Sequence, residues 1–357
     1  MKTAALLSLA LLPCAFANPN PAALHSAAVY SAEHHGKALV VLQSGRVIFE
    51  DYPNGGSRSA AMKIYSGTKG FWNLAALAAQ EDGLLRLDEK ASATLPEWAG
   101  DSKKSKLTLR ELLNFSAGLN EARALHGDGW DDRNACALRQ PVLGTPGRTF
   151  IYGPAALQCF HEVLKRKLAA RHPRLWTQGL PAETPTQYLE RRVLRPLGLG
   201  PQRYLADKAG NPLLAAGFSM TPSQWAKMGL TVLAGGAPVL RGSLGEALHG
   251  SEANPMFGLG FWNNRLAGSP GAREVDPEDL LHLKWNQQDW RNTCLCRAAP
   301  RDLIASVGSG GQRLYVIPSM GLIVIRQGNL AKFSDGAFLR RLLAREPTSS
   351  VALAKGP

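Results

Sequence analysis

The chain has 357 residues, 45% of them hydrophobic and 19% charged, which is enough apolar material for a full core and excludes a globally disordered protein. It carries 41 basic against 28 acidic residues, a formal net charge of +13. Apart from Arg191-Arg192 and Lys103-Lys104-Lys106, the basic residues are spread along the chain, as on a solvated cationic surface or one that attracts anionic envelope polymers or lipid headgroups. No RNA- or DNA-binding module is legible, so nucleic acid is not an expected partner.

At the N-terminus Lys2 precedes an apolar stretch, Ala4 to Ala17, that ends in Ala15-Phe16-Ala17 before Asn18-Pro19. This is the pattern of a secretory signal cleaved after Ala17; the stretch is too short to span a bilayer, and no later run is apolar enough. A lipoprotein signal at Leu11-Leu12-Pro13-Cys14 fits less well, because Pro13 stands where a small residue is expected. The expected location is secreted or periplasmic. The mature part then fits two intimately packed domains or one large domain with an insertion.

Ala38 to Leu42 and Arg46 to Glu50 read as strands around a Ser44-Gly45 turn. From Ser66 to about Val232 the signals are mostly helical: Gly70 to Gln80, Leu107 to Phe115, Ala155 to Ala170, and a segment opened by Thr221-Pro222-Ser223-Gln224, with Thr221 as N-cap and Pro222 in the first turn. Arg313 to Ile317 and Leu322 to Arg326 form a second hairpin around Pro318-Ser319-Met320-Gly321, and Phe338 to Arg345 a closing helix. Strands at both ends with helices between them predict an α/β (α+β) fold, in which an antiparallel sheet built from both termini carries a mostly helical insertion. The expected division is a signal at 1–17, a domain at 18–346 and a tail at 347–357, with sheet parts near 25–80 and 257–346 and the insertion near 81–256.

The strongest chemical signal is Ser66-Gly67-Thr68-Lys69. On a helix these three steps make nearly one turn, so Lys69 shares the face of Ser66 and can take its hydroxyl proton if burial lowers the ammonium pKa. The helix N-terminus adds backbone N–H groups for developing negative charge. Taken alone the spacing is weak: it arises by chance, and a helix cap followed by a surface lysine would look the same.

Context adds to it. Gly83-Leu84-Leu85-Arg86-Leu87-Asp88, Leu95-Pro96-Glu97-Trp98, Leu107-Thr108-Leu109-Arg110-Glu111-Leu112-Leu113 and Ser116-Ala117-Gly118-Leu119 follow in order. With Pro146 to Tyr152, Arg195 to Leu199, Thr221 to Gly229, Phe257 to Trp262 and Gly310-Gly311-Gln312, they resemble the serine β-lactamase/penicillin-binding-protein (DD-peptidase) superfamily from about Leu39 to Val324. The resemblance implies a β-lactamase/transpeptidase-like fold, Ser66 as nucleophile, Lys69 as its base and Tyr152 as a proton relay facing them. It also implies an oxyanion site made by the backbone N–H groups of Ser66 and Ser309, with substrate contacts from Ser306 and Gly308 on the strand edge.

Two positions depart from the family pattern. The usual Tyr-x-Asn or Tyr-x-Ser is Tyr152-Gly153-Pro154, so one polar contact is missing or comes from elsewhere. The usual Lys-Thr-Gly or His-x-Gly is Ser306-Val307-Gly308, which removes the cation expected to meet a substrate carboxylate. Both departures favour an esterase or amidase acting by acyl transfer on a small-molecule or peptide-like substrate, one that resembles the 6-aminohexanoate-oligomer hydrolase branch, over a β-lactamase or DD-carboxypeptidase proper. A weakly active or inactive protein that binds envelope polymers on the same fold is the alternative.

Cys136, Cys159, Cys294 and Cys296, an even number in an oxidising compartment, suggest disulfides, with Cys136–Cys159 a plausible pair. No His/Asp set with zinc spacing accompanies them, His161-Glu162 lacks the second histidine of His-Glu-x-x-His, and no metal or organic cofactor is expected. Gly308-Ser309-Gly310-Gly311 resembles part of a nucleophile elbow, but Val307 and the strand that follows do not fit one. His126, His161, His249 and His282 are the histidines that could serve such a triad.

Overall fold

The computed structural model describes residues 19–171 and 182–344. The expected signal at 1–17 and the tail at 347–357 lie outside the described residues.

Helix α1, Pro21–Glu33, starts where Asn20 caps the Ala23 N–H and Pro21 occupies the first turn. It buries Leu24, Ala27, Ala28 and Tyr30, and the sequence reading missed it. Strands β1 (Gly36–Gln43) and β2 (Arg46–Asp51) form the expected hairpin. Ser44 and Gly45 turn it with φ of 47° and 79°, the two left-handed positions of a type I′ turn.

The remaining strands are β3 (Met62–Lys63), β4 (Ser219–Met220), β5 (Trp262–Asn263), β6 (Arg273–Glu274), β7 (Thr293–Cys294), β8 (Ile304–Gly308), β9 (Gln312–Ile317) and β10 (Leu322–Gly328). Six of the strands form one antiparallel sheet in the order β2-β1-β10-β9-β8-β5. β1 pairs with β10, with Val41 opposite Val324, so the two ends of the chain meet mid-sheet as expected.

Every residue of β9 and β10 is buried, which requires cover on both faces. Tyr315 stacks on Phe338 of the closing helix, Asp335–Leu342, with ring centroids 5.8 Å apart. On the other face Leu314 and Ile323 lie against Gly229 of the helix Pro222–Leu233, which begins with a Thr221/Gln224 capping box. The helix that follows the Ser66 segment, α2, Thr68–Glu81, is central: its Phe71, Trp72, Leu74 and Ala75 are fully buried.

The expected helix over 107–115 is shorter, Leu109–Leu113 (α3). Thr108 and Glu111 cap its start, and it ends because Phe115 adopts φ 61°. Further along run α4, Arg133–Leu138, and α5, Pro154–Arg171. No helix among the described residues is long and apolar enough to cross a membrane. The expected disulfides are not formed: Cys136, Cys159, Cys294 and Cys296 are all free thiols.

Candidate active site

Ser66 sits in a short 3-10 turn, Tyr65–Gly67, that feeds directly into α2. Tyr65 is held at φ 45°, a left-handed conformation that costs a non-glycine residue about 1–3 kcal/mol and recurs at functional sites. One helical turn on, the Lys69 Nζ donates to Ser66 Oγ at 2.8 Å and to the Ala215 carbonyl at 2.8 Å. Lys69 is only 1% exposed. Desolvation lowers its pKa from 10.5 to about 7, so the neutral amine is well populated near neutral pH.

Tyr152 closes the other side. Its ring centroid is 4.6 Å from Lys69 Nζ, and its phenol makes a polar contact with Ser66. Burial pushes the phenol pKa well up, with the Ser66 contact acting weakly against it, so the hydroxyl stays protonated. Phe115, at 4.6 Å, and Phe257, at 5.8 Å, pack the Tyr152 ring in place.

The loss of a polar residue at Pro154 has a local explanation. Pro154 is the first residue of α5, a position where its missing N–H is no loss. Lys69 takes a partner from the backbone, the Ala215 carbonyl. That segment is fixed from α5 by Gln158, whose Oε1 accepts the Leu214 N–H at 2.9 Å and whose Nε2 donates to the Pro212 carbonyl at 3.0 Å. Thr68 Oγ1 accepts the Phe218 N–H at 3.2 Å from the other end. Sequence reasoning missed Gln158 and Ala215; a backbone acceptor leaves no sequence mark.

β8 approaches the Ser66 turn very closely. A Cβ on Gly308 would lie 2.1 Å from the Ile64 carbonyl oxygen, so only glycine allows this contact. Ser66, Tyr152, Val307 and Ser309 all line one cavity of about 480 Å3, whose apolar wall includes Leu205, Leu213 and Leu281. Ser306 and Gly308, the expected substrate contacts, are not on that wall. Ser306 is 2% exposed and pairs with Leu314, so alternation along the strand turns it toward the helix Pro222–Leu233 and gives the cavity face to Val307 and Ser309.

The histidines separate. His126 and His282 line the cavity, whereas His249 lines a different one. Burial and then the charges of Lys69, Arg133 and Arg123 depress the His126 pKa. His161 is buried behind α2, its Nδ1 2.8 Å from Asn134 Nδ2 and its pKa lowered to about 3 by burial. Ser309 is followed by Gly310, Gly311 and a strand, so no elbow forms there. No cluster of His, Cys, Asp and Glu that could hold a metal ion occurs among the described residues.

A family model described as Beta-lactamase matches residues 23–346. The chain belongs to the Beta-lactamase family. This family is one of hydrolases, and solved structures of low sequence identity share the fold. A class C beta-lactamase from Rhodobacter sphaeroides is 18% identical, with 91% of this chain and 99% of that one covered at a TM-score of 0.60. A D-stereospecific amidohydrolase from Streptomyces sp. is 16% identical, with 91% and 99% covered at 0.62. A hydrolase with promiscuous acyltransferase activity is 18% identical, with 90% and 96% covered at 0.59. No curated protein matches the chain. The Beta-lactamase family match accounts for the recognised order of motifs and for the antiparallel sheet built from both termini.

Proposed function

We propose that this Beta-lactamase family protein is an exported serine hydrolase that acts by acyl transfer on an ester or amide. The observation that carries the reading is the 2.8 Å hydrogen bond between Ser66 Oγ and the desolvated amine of Lys69. Neutral Lys69 takes the Ser66 hydroxyl proton as Oγ attacks the substrate carbonyl carbon and its π electrons move to oxygen. The backbone N–H groups of Ser66 and Ser309 receive that oxyanion. Collapse expels the alkoxide or amine, which takes a proton relayed from Lys69 through Tyr152, and leaves an acyl group on Ser66. Water, deprotonated by the same amine, then releases the acid and restores the serine.

The apolar wall of Leu205, Leu213, Leu281 and Val307 fits an aliphatic or aromatic acyl group. With Ser306 turned away and no cation in its place, a penicillin-type carboxylate lacks the partner this strand supplies elsewhere in the superfamily. The Ala15-Phe16-Ala17 pattern after an apolar stretch supports export. The direct test is labelling of the purified mature protein by a fluorophosphonate and by a fluorescent penicillin, beside Ser66→Ala. Fluorophosphonate labelling that disappears in Ser66→Ala is the expected result; a folded protein that neither reagent labels would remove the hydrolase reading in favour of an inactive binding protein.

A further inference from the structure

The loop that carries Ser309 is held by a residue outside every recognised motif. Glu278 lies in the first turn of the helix Pro277–His282 and lines the cavity. Its Oε1 accepts the Gly310 N–H at 2.6 Å, and its Oε2 accepts the Gly311 N–H at 3.3 Å. The same Oε2 receives Arg313 Nη2 at 3.2 Å. Arg313 is fully buried; its Nη1 donates to the Gly308 carbonyl at 3.0 Å, and its Nε and Nη2 bond Asp335 at 2.7 and 3.1 Å.

The peptide groups on both sides of Ser309 are therefore tied to one frame: Gly308 through Arg313, Gly310 and Gly311 through Glu278. The loop needs such ties, because Gly310 and Gly311 turn at φ 76° and 71°, conformations that glycine samples freely and that no ladder enforces. We propose that Glu278 is a positioning residue whose carboxylate, braced by Arg313, sets the direction in which the Ser309 N–H meets the reacting carbonyl oxygen. This rests on the acyl-transfer reading above. A displacement of a fraction of an ångström in that amide weakens a bond made mainly in the transition state, while the substrate still binds the apolar wall.

The test is steady-state hydrolysis of p-nitrophenyl butyrate by the full mature chain and its Glu278→Gln and Glu278→Asp variants, with Ser66→Ala as control and melting temperatures alongside. Loss of one oxyanion donor costs about 100- to 1,000-fold in kcat, and a misdirected one less, so Glu278→Gln should lose about 10- to 100-fold in kcat with KM changed less than about threefold. Glu278→Asp, too short to reach both amides, should lose at least as much. The pH at which kcat/KM is half-maximal should stay where the wild type has it, because Glu278 does not touch Lys69. Wild-type kcat in both variants, a loss confined to KM, or a shifted pH profile with both variants melting near the assay temperature would overturn the positioning role. If Ser66→Ala itself retains hydrolysis, the acyl-transfer reading fails instead.

Discussion

Replacing Lys69 by methionine should abolish activity and at the same time stabilise the fold, by an amount that depends on pH. Lys69 is 1% exposed and its pKa falls from 10.5 to about 7 on burial. At about 1.4 kcal/mol per pKa unit, carrying this charge into the interior costs the folded state about 5 kcal/mol. The substitution also removes the bonds to Ser66 Oγ and the Ala215 carbonyl. These are worth about 1 kcal/mol each, and more where the carbonyl is left unpaired, so a net gain of about 2 kcal/mol remains at acidic pH. The sign follows from proton binding. Below about 7 both states of the wild type hold the lysine proton and the penalty is complete. Between about 7 and 10.5 only the unfolded chain holds it, so wild-type stability rises with pH and the advantage of Lys69→Met shrinks. Urea melts of both proteins at about pH 6, 8 and 9.5, read by linear extrapolation, measure this difference directly. Ester hydrolysis should fall by at least about 100-fold in the variant. A Lys69→Met protein less stable than wild type at pH 6, or a stability difference that does not move with pH, would refute the claim that Lys69 is a desolvated base.

Gly308→Ala should push β8 off the Ser66 turn, since its Cβ would meet the Ile64 carbonyl oxygen at 2.1 Å. The expected loss is about 100-fold or more in kcat for p-nitrophenyl butyrate and about 1–3 kcal/mol of stability by urea melt; a fully active variant would show that the close approach is dispensable. Burial and the Asp335 charge raise the Asp276 pKa to about 6, so the folded carboxyl keeps a proton the unfolded one has lost. Wild-type stability should therefore decline as pH rises from about 4 to 6, by about 2 kcal/mol, and Asp276→Asn should flatten that slope in melts across the range. Gln158→Leu should free the Leu214 N–H and loosen the Ala215 carbonyl from Lys69. The half-maximal pH of kcat/KM should then move, and an unchanged profile would separate Gln158 from the lysine.

Much of the scaffold was readable because its causes are local. The Ser44-Gly45 turn fixes one hairpin, and the Thr221/Gln224 capping box starts a helix where the sequence predicts it. Ser66 and Lys69 were legible as a pair because their contact spans one helical turn. The unread parts are long-range or made of backbone. Glu278 carries a helix-start pattern, Pro277 with an acid in the first turn, which says nothing of the Gly310 and Gly311 amides it holds across 32 and 33 positions. Strand alternation could have turned Ser306 away from the cavity, had the register of β8 against β9 been known.

Pro154 is the most instructive departure, because what replaces its side chain also bears on the chemistry. A carbonyl acceptor holds Lys69 Nζ in place at 2.8 Å without a formal charge to stabilise the ammonium. Desolvation therefore prevails and the pKa comes down to about 7. A carboxylate at the same distance would fix the amine equally well but favour its charged form and push the pKa back up, leaving Ser66 with a poorer base near neutral pH. The proline thus costs the site a side-chain partner but not the property the lysine needs, and the backbone at Ala215 can meet the geometric requirement because Gln158, one turn into the helix that Pro154 begins, pins the neighbouring residue.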